Sequence, residues 1–276
     1  MTLSSAFSPS NPLALVGVGK MGSALLGGWL EGGLDPKAVV VVDPSPPQEA
    51  LDFLGRAGIS VDPSPQAGTH AATIVVAVKP QVIAAVLPTL GPLVGADTIA
   101  VSIAAGTTIA NLEAGLGQIA IVRAMPNTPA QIGRGITGAL ANQRVGIAGK
   151  ALVTSLLEAV GEVVWVDDEA LIDVVTAVSG SGPAYVFLLA ECLAEAALKA
   201  GLDAQTARRL ASATVSGAGE LLAQSVLPPD QLRKNVTSPG GTTAAALEIL
   251  MGEGGFAPLL EQAVDAAKKR SEELSG

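Results

Sequence analysis

Apolar residues fall into two regimes along this chain. Up to about residue 166 they form short, mostly apolar runs, at 13–16 (LALV), 38–42 (AVVVV), 73–78 (TIVVAV), 98–103 (TIAVSI) and 120–123 (AIVR), with longer stretches of helical spacing between them. Runs of this length, rich in Val and Ile, predict strands buried on both faces, and the spacing between them predicts helices. The helical stretches are 20–30, 48–57 closed by Gly58, 81–90, and 108–116 capped by Thr107 or Thr108; residues 59–61 predict one more short strand. Strand–helix alternation winds right-handed into a parallel sheet covered by helices on both faces. From residue 167 the short runs stop, and 169–178, 183–200, 204–224 and 242–251 all carry helical periodicity. The pattern therefore predicts a doubly wound α/β domain over residues 1–167 and an all-helical domain over residues 168–276.

The first strand runs into Gly17, Gly19 and Gly22, a strand–G-x-G-x-x-G–helix unit. The first glycine makes the tight turn, the second lets backbone approach a pyrophosphate, and the third allows close helix–strand contact, so the sheet is predicted to be Rossmann-type. Lys20 and Met21 complete the turn, and the N–H groups opening the helix face the phosphates. The second strand ends in Asp43, about 20 residues on, where an acidic side chain would meet the adenosine ribose. Asp43 suits a free 2′-hydroxyl, whereas Ser45 and loop N–H groups would accept a 2′-phosphate; a helix cap ahead of Gln48 and Glu49 is the structural alternative for Asp43.

Ligands of open α/β sheets bind at the carboxyl ends of the strands. Three further loops lie there. Ala77, Val78, Lys79 and Pro80 follow the third long run, and proline disfavours helix at the preceding residue, so Lys79 is predicted to be extended. Ala104, Ala105 and Gly106 are small enough to leave room for a flat ring. Pro126 and Pro129 stiffen the turn that presents Asn127, which would frame a nicotinamide.

Composition narrows the picture. Hydrophobic residues make up 49% and aromatics 3%, so the core must be built from Ala, Val, Leu and Ile. The long charge-free runs are broken by Pro or Gly and predict no membrane span. A net charge of −9 excludes a nucleic-acid partner, which needs a basic surface. Cys192 is the one cysteine, so no disulfide forms within the chain; it is expected to be buried and inert, in a reducing cytoplasm. His70 is the one histidine and is given no chemical role, and no metal site is expected. The opening MTLSSAFSPSNP lacks the basic start and apolar stretch of a secretory signal and is expected to be a frayed lead-in.

The helical half holds two unusual loops. Ser179-Gly180-Ser181-Gly182-Pro183-Ala184-Tyr185 joins two helices, with Pro183 at a first helical position. Asn235-Val236-Thr237-Ser238-Pro239-Gly240-Gly241-Thr242-Thr243 feeds a helix whose start, flanked by hydroxyls and glycines, suits a carboxylate.

Taken in order, Gly17 to Gly22, Val78-Lys79-Pro80, Arg123-Ala124-Met125-Pro126-Asn127-Thr128-Pro129, Ser179 to Tyr185 and Ser238 to Thr243 resemble the pyrroline-5-carboxylate reductase family, over about residues 13–275. The resemblance implies the last step of proline biosynthesis: NADPH or NADH delivers hydride to the C=N carbon of 1-pyrroline-5-carboxylate, giving L-proline. It implies that Ser238 and the backbone of Gly241, Thr242 and Thr243 hold the substrate carboxylate. The Thr243 hydroxyl then bonds the ring nitrogen, and Asn235 reaches the pocket from the partner subunit's side. It also implies a dimerisation role for the helical domain, giving a homodimer commonly assembled into a decamer. Two features depart from the family: Asp43, where a neutral residue is common, and the N-terminal lead of about a dozen residues.

Two other readings compete. A β-hydroxyacid dehydrogenase shares the architecture but needs a lysine one to two turns into the helix after the glycine-rich loop, and Tyr185-Val186-Phe187-Leu188-Leu189 supplies none. A non-catalytic dinucleotide-binding regulator would have no use for the loop at 235–243.

Overall fold

The computed structural model describes residues 3–66, 68 and 70–275. It divides into two compact units, Met1–Gly180 with Lys268–Gly276, and Ser181–Ala267. The first unit thus runs past residue 167 and takes in the final turns of the last helix.

In chain order the first unit contains α1 (Leu3–Ala6), β1 (Leu13–Val16), α2 (Lys20–Glu31), β2 (Val39–Val42), α3 (Gln48–Ala57), β3 (Val61–Asp62), β4 (Thr73–Val76) and α4 (Pro80–Val86). It continues through β5 (Ile99–Ser102), α5 (Ile109–Leu116), β6 (Ala120–Met125), β7 (Gly135–Ala141), α6 (Ile147–Glu158), β8 (Gly161–Trp165) and α7 (Ala170–Val175). The eight strands form one sheet in the order β3-β2-β1-β4-β5-β6-β7-β8. Chain direction reverses its lateral progress between β1 and β4, the switch point at which doubly wound sheets bind ligands.

The sheet is mostly, not wholly, parallel, because β7 runs antiparallel to β6. Only residues 126–134 separate them, fewer than a parallel crossover needs. β8 returns parallel to β7 after α6. Burial follows from the period of two: Leu13 and Leu15 join the apolar cluster on one face with Leu25, Leu26 and Trp29, while Ala14 and Val16 join Ile74, Leu90 and Leu112 on the other. Each of the fully buried leucine and isoleucine side chains among them is worth about 1.5–3 kcal/mol relative to exposure. The Trp29 indole N–H donates to the Leu156 carbonyl at 2.8 Å, so even the largest core ring leaves no polar atom unpaired.

Within the first unit three expectations are corrected. The opening segment is not frayed from Leu3 onward, its first two residues lying outside the described ones: Leu3 and Phe7 are buried in the same cluster as Trp29. The helix expected over 81–90 gives way after Val86 to a 3-10 stretch, Leu87–Leu93. Pro88 lacks the N–H and clashes with the carbonyl four residues back, which ends an α-helix. The loop expected over Ser179–Tyr185 is helical for most of its length: Ser179 and Gly180 close a π-helical turn, Thr176–Gly180, that continues α7, and Gly182 to Tyr185 open the next helix. The hydroxyls of Thr176 and Ser179 donate to the Ile172 and Val175 carbonyls at 2.8 and 2.9 Å, which gives those carbonyls a partner in the turn.

The second unit contains α8 (Gly182–Lys199), α9 (Ala204–Gln224), α10 (Pro229–Asn235), α11 (Thr242–Leu250) and the first part of α12 (Phe256–Ser275). α8 and α9 pack side by side around a turn in which Gly201 has φ +109°. No residue of α8, α10 or α11 is buried, and Phe187, Leu188, Leu210 and Ile249 stand exposed. Cys192, expected to be buried, is exposed on α8.

Candidate coenzyme and substrate sites

The glycine turn is dictated by packing at two of its three glycines. Gly17 has φ +90°, its N–H donates to the Val42 carbonyl at 2.8 Å, and a Cβ there would meet the Ala77 carbonyl group at 2.9 Å. At Gly22 a Cβ would run into the carbonyl oxygen of Gly17. Gly19 is different: no heavy atom lies within 4 Å of where its Cβ would stand. Gly19 is also the N-cap of α2, and among the described residues no side chain caps that helix. The result is an open cradle floored by backbone beside the positive end of a helix of 12 residues, which fits a pyrophosphate. Lys20 is exposed at the first helical position, and Met21 turns inward against the core.

Asp43 lies at the end of β2, half-buried, with both carboxylate oxygens engaged. Oδ2 accepts the Val18 N–H at 2.9 Å and Oδ1 accepts the Ser45 N–H at 2.9 Å. The carboxylate therefore ties the glycine turn to the loop after β2. The helix-cap alternative fails, since Pro47 occupies the N-cap of α3.

The remaining predicted coenzyme residues line the carboxyl ends of neighbouring strands. The Ala77 N–H donates to Val16 at 2.7 Å, which brings Ala77 and Val78 beside the glycine turn. Lys79 is extended, φ −65° and ψ 145°, exposed, and directly precedes Pro80 at the start of α4. Ala104 is buried, with its N–H on the Ser102 hydroxyl at 3.3 Å, and Ala105 is partly open next to it. Pro126 is buried; the side-chain oxygen of Asn127 accepts the Ile136 N–H at 3.0 Å, so half of this amide pins the loop to β7 and its NH₂ group is the donor end. His70 is exposed just before β4, at the opposite, amino-terminal edge of the strands.

In the second unit, the loop after α10 turns through Gly240 at φ +68°, and the Gly241 N–H donates to the Ser238 carbonyl at 3.0 Å. That fold leaves no space for a Cβ at Gly241, because the Ser238 hydroxyl fills it. Gly241 is the N-cap of α11, again without a side-chain cap among the described residues. The Ser238 hydroxyl, the opening N–H groups of α11 and the partly buried Thr243 thus gather at one helix start, with Thr242 exposed beside them. Asn235 is exposed at the end of α10, its side-chain oxygen accepting from Gln231 at 2.8 Å.

In the sequence Arg123 stands out only as part of a motif. Within the first unit it is 3% exposed and paired with Glu169 at 2.8 Å. An arginine inside the apolar run AIVRAM is the signal that would have marked it, since a buried charge requires a partner.

The chain matches a family model described as pyrroline-5-carboxylate reductase dimerisation over residues 169–274, and one described as NADP oxidoreductase, coenzyme F420-dependent, over residues 12–106. It is 43% identical to a pyrroline-5-carboxylate reductase of Pseudomonas aeruginosa over 265 residues, 95% of this chain and 96% of the relative. It is 38% identical to one of Pisum sativum over 269 residues, 97% of each. Among solved structures it is similar to a pyrroline-5-carboxylate reductase from Coxiella burnetii, with TM-score 0.89, 38% identity and coverage of 97% and 99%. It is also similar to a Plasmodium falciparum pyrroline carboxylate reductase with NADP bound, with TM-score 0.80, 31% identity and coverage of 96% and 98%.

Proposed function

The chain belongs to the pyrroline-5-carboxylate reductase family, and from that premise we propose how its two sites reduce the C=N bond of 1-pyrroline-5-carboxylate to L-proline, the last step of proline biosynthesis. Bound NADPH or NADH supplies the hydride. Gly17, Gly19 and Gly22, with the opening N–H groups of α2, hold the pyrophosphate, and Asp43, Ser45 and the stretch 77–80 flank the adenosine half. Ala104, Ala105, Pro126 and Asn127 frame the nicotinamide. The start of α11, with Ser238, Gly241, Thr242 and Thr243, binds the substrate carboxylate.

Such a site needs few ionisable groups. The imine carbon is already electrophilic, so orientation at ~3–3.5 Å from the hydride donor and exclusion of water carry most of the acceleration. The new C–H bond takes the hydride, the C=N π electrons pass to nitrogen, and a proton completes the amine. Thr243 would hydrogen-bond that nitrogen as it gains its proton. The observation that carries this reading is the Ser238 hydroxyl turned onto the start of α11, which no side chain caps among the described residues.

The helical unit supports a dimer: it matches a dimerisation model and leaves α8 and α11 without a buried residue. A decamer of such dimers, Asn235 reaching the site of the partner, and a cytoplasmic location complete the proposal. Residues 170–199 have the length and apolarity of a membrane span, with 17% of the window buried. A π-turn interrupts that run, and Glu191 and Glu195 lie within it, so we assign its apolar face to the partner subunit.

The test follows NADPH and NADH absorbance separately as 1-pyrroline-5-carboxylate is added to purified protein. Oxidation dependent on the imine is the expected result, and none with either coenzyme overturns the assignment.

A further inference from the structure

We propose that Arg123 is a positioning residue for the nicotinamide end of the coenzyme site. It acts through Glu169 and the last turn of α12, and the proposal rests on reading Ala104, Ala105, Pro126 and Asn127 as the nicotinamide frame. Two other chain segments meet at its guanidinium, the start of α7 and the end of α12, and Glu169 links a third, α5, all within the first unit. Nη1 stands 2.8 Å from Glu169 Oε1, and Nη2 stands 3.5 Å from the Ser275 hydroxyl and 4.0 Å from Asp173 Oδ1. The same Glu169 oxygen accepts the N–H of Ile109, the first residue of α5, at 2.8 Å. Asp173 Oδ1 accepts the Ser271 hydroxyl at 2.6 Å, which fixes α12 to α7.

Both nicotinamide loops end on this cluster. Arg123 lies on β6 two residues before Met125, so the strand that carries the guanidinium also launches the loop of Pro126 and Asn127. The turn of Ala104 and Ala105 leaves β5 at Ser102, the register partner of Arg123, and re-enters helix at Ile109, held by Glu169. Between those ends Gly106, φ +70°, passes beneath the last turn of α12: a Cβ there would sit 3.1 Å from the Leu274 carbonyl oxygen. A buried guanidinium tolerates little movement of its carboxylates, because each displacement exposes an unpaired charge to a low-dielectric surrounding. The cluster therefore sets the spacing of the two loops without any of its own members facing the ring.

The proposal separates the two ends of the coenzyme, and so does its test. Arg123→Met keeps the stem and removes the charge, Arg123→Lys restores charge without the fork, and Glu169→Gln keeps an acceptor for Ile109 while removing the negative charge. Each is compared with the unaltered protein for kcat, for KM of coenzyme and imine, and for affinity towards two probes. One probe is the intact reduced coenzyme; the other is ADP-ribose, which carries the adenosine and pyrophosphate but no nicotinamide. Misplacing the ring by about 1 Å should lower kcat on the order of 10²-fold for Arg123→Met. Arg123→Lys should recover part of that loss, and affinity for ADP-ribose should be unchanged in all three. Unchanged kcat, or ADP-ribose binding that weakens in step with the intact coenzyme, overturns the proposal. If Arg123→Met does not fold, Glu169→Gln carries the same comparison. If the unaltered protein reduced no imine, the reaction assigned above would fall, while the two probe affinities would still decide the role of Arg123.

Discussion

Gly19 and Gly22 stand three residues apart in one turn, yet substitution should separate them cleanly. Gly19→Ala places its methyl in open space, so unfolding free energy should change by no more than about 1 kcal/mol, the ordinary cost of alanine at an N-cap. Coenzyme affinity measured by titration should nevertheless fall, since the methyl fills the cradle. Gly22→Ala should instead yield unfolded or insoluble protein, because its methyl meets the Gly17 carbonyl. Thr73 offers a gain: its hydroxyl is buried and finds no hydrogen-bond partner among the described residues. Thr73→Val should stabilise by about 1 kcal/mol, read from the urea midpoint, because the desolvated hydroxyl is removed without changing shape. Asp43→Ser should shift the ratio of specificity constants towards NADPH by removing a negative charge beside the 2′ position. It should also weaken both coenzymes, since Val18 and Ser45 lose their shared acceptor. The glycine spacing was legible in sequence because a tight turn, an approach to pyrophosphate and a close helix–strand contact each exclude a side chain at a fixed offset. The two bonds of Asp43 were not, since Val18 offers no side-chain signal of what its N–H needs.

Among the elements, α9 has the clearest cap. Asp203 accepts the N–H groups of Gln205 and Thr206 at 3.0 Å each. The Thr206 side chain foremost, then the backbone N–H groups, hold its carboxyl below the ordinary carboxylate value. A depressed pKa contributes stability that is present above the unfolded value and lost as pH falls through the folded one. An NMR titration should place the Asp203 midpoint below that of an unstructured aspartate, and Asp203→Ala should lower Tm at neutral pH but not at a pH below that midpoint. Elements with a local cause were readable from sequence, as were the buried runs that became β1, β2, β4 and β5. β7 was not, because its antiparallel course is set by how little chain separates it from β6. The 3-10 stretch after α4 was readable in principle from Pro88, had its missing N–H been weighed against the helical spacing around it.

For the whole molecule, the apolar surface of the second unit sets the expectation. Phe187 is 63% and Leu188 57% exposed on α8, far more than an isolated soluble chain usually presents together. Light scattering should therefore report a dimer or a multiple of one, and Phe187→Asp should shift the population towards monomer with loss of turnover. The last turn of α12 has a different consequence. The first unit is discontinuous: residues 268–276 complete it only after residues 181–267 have been made. During synthesis the emerging sheet must wait, with Arg123 lacking Ser275 and Gly106 uncovered by Leu274, until a distant stretch of chain leaves the ribosome. The α/β unit is thus completed only at the end of translation, although nearly all of it is made first.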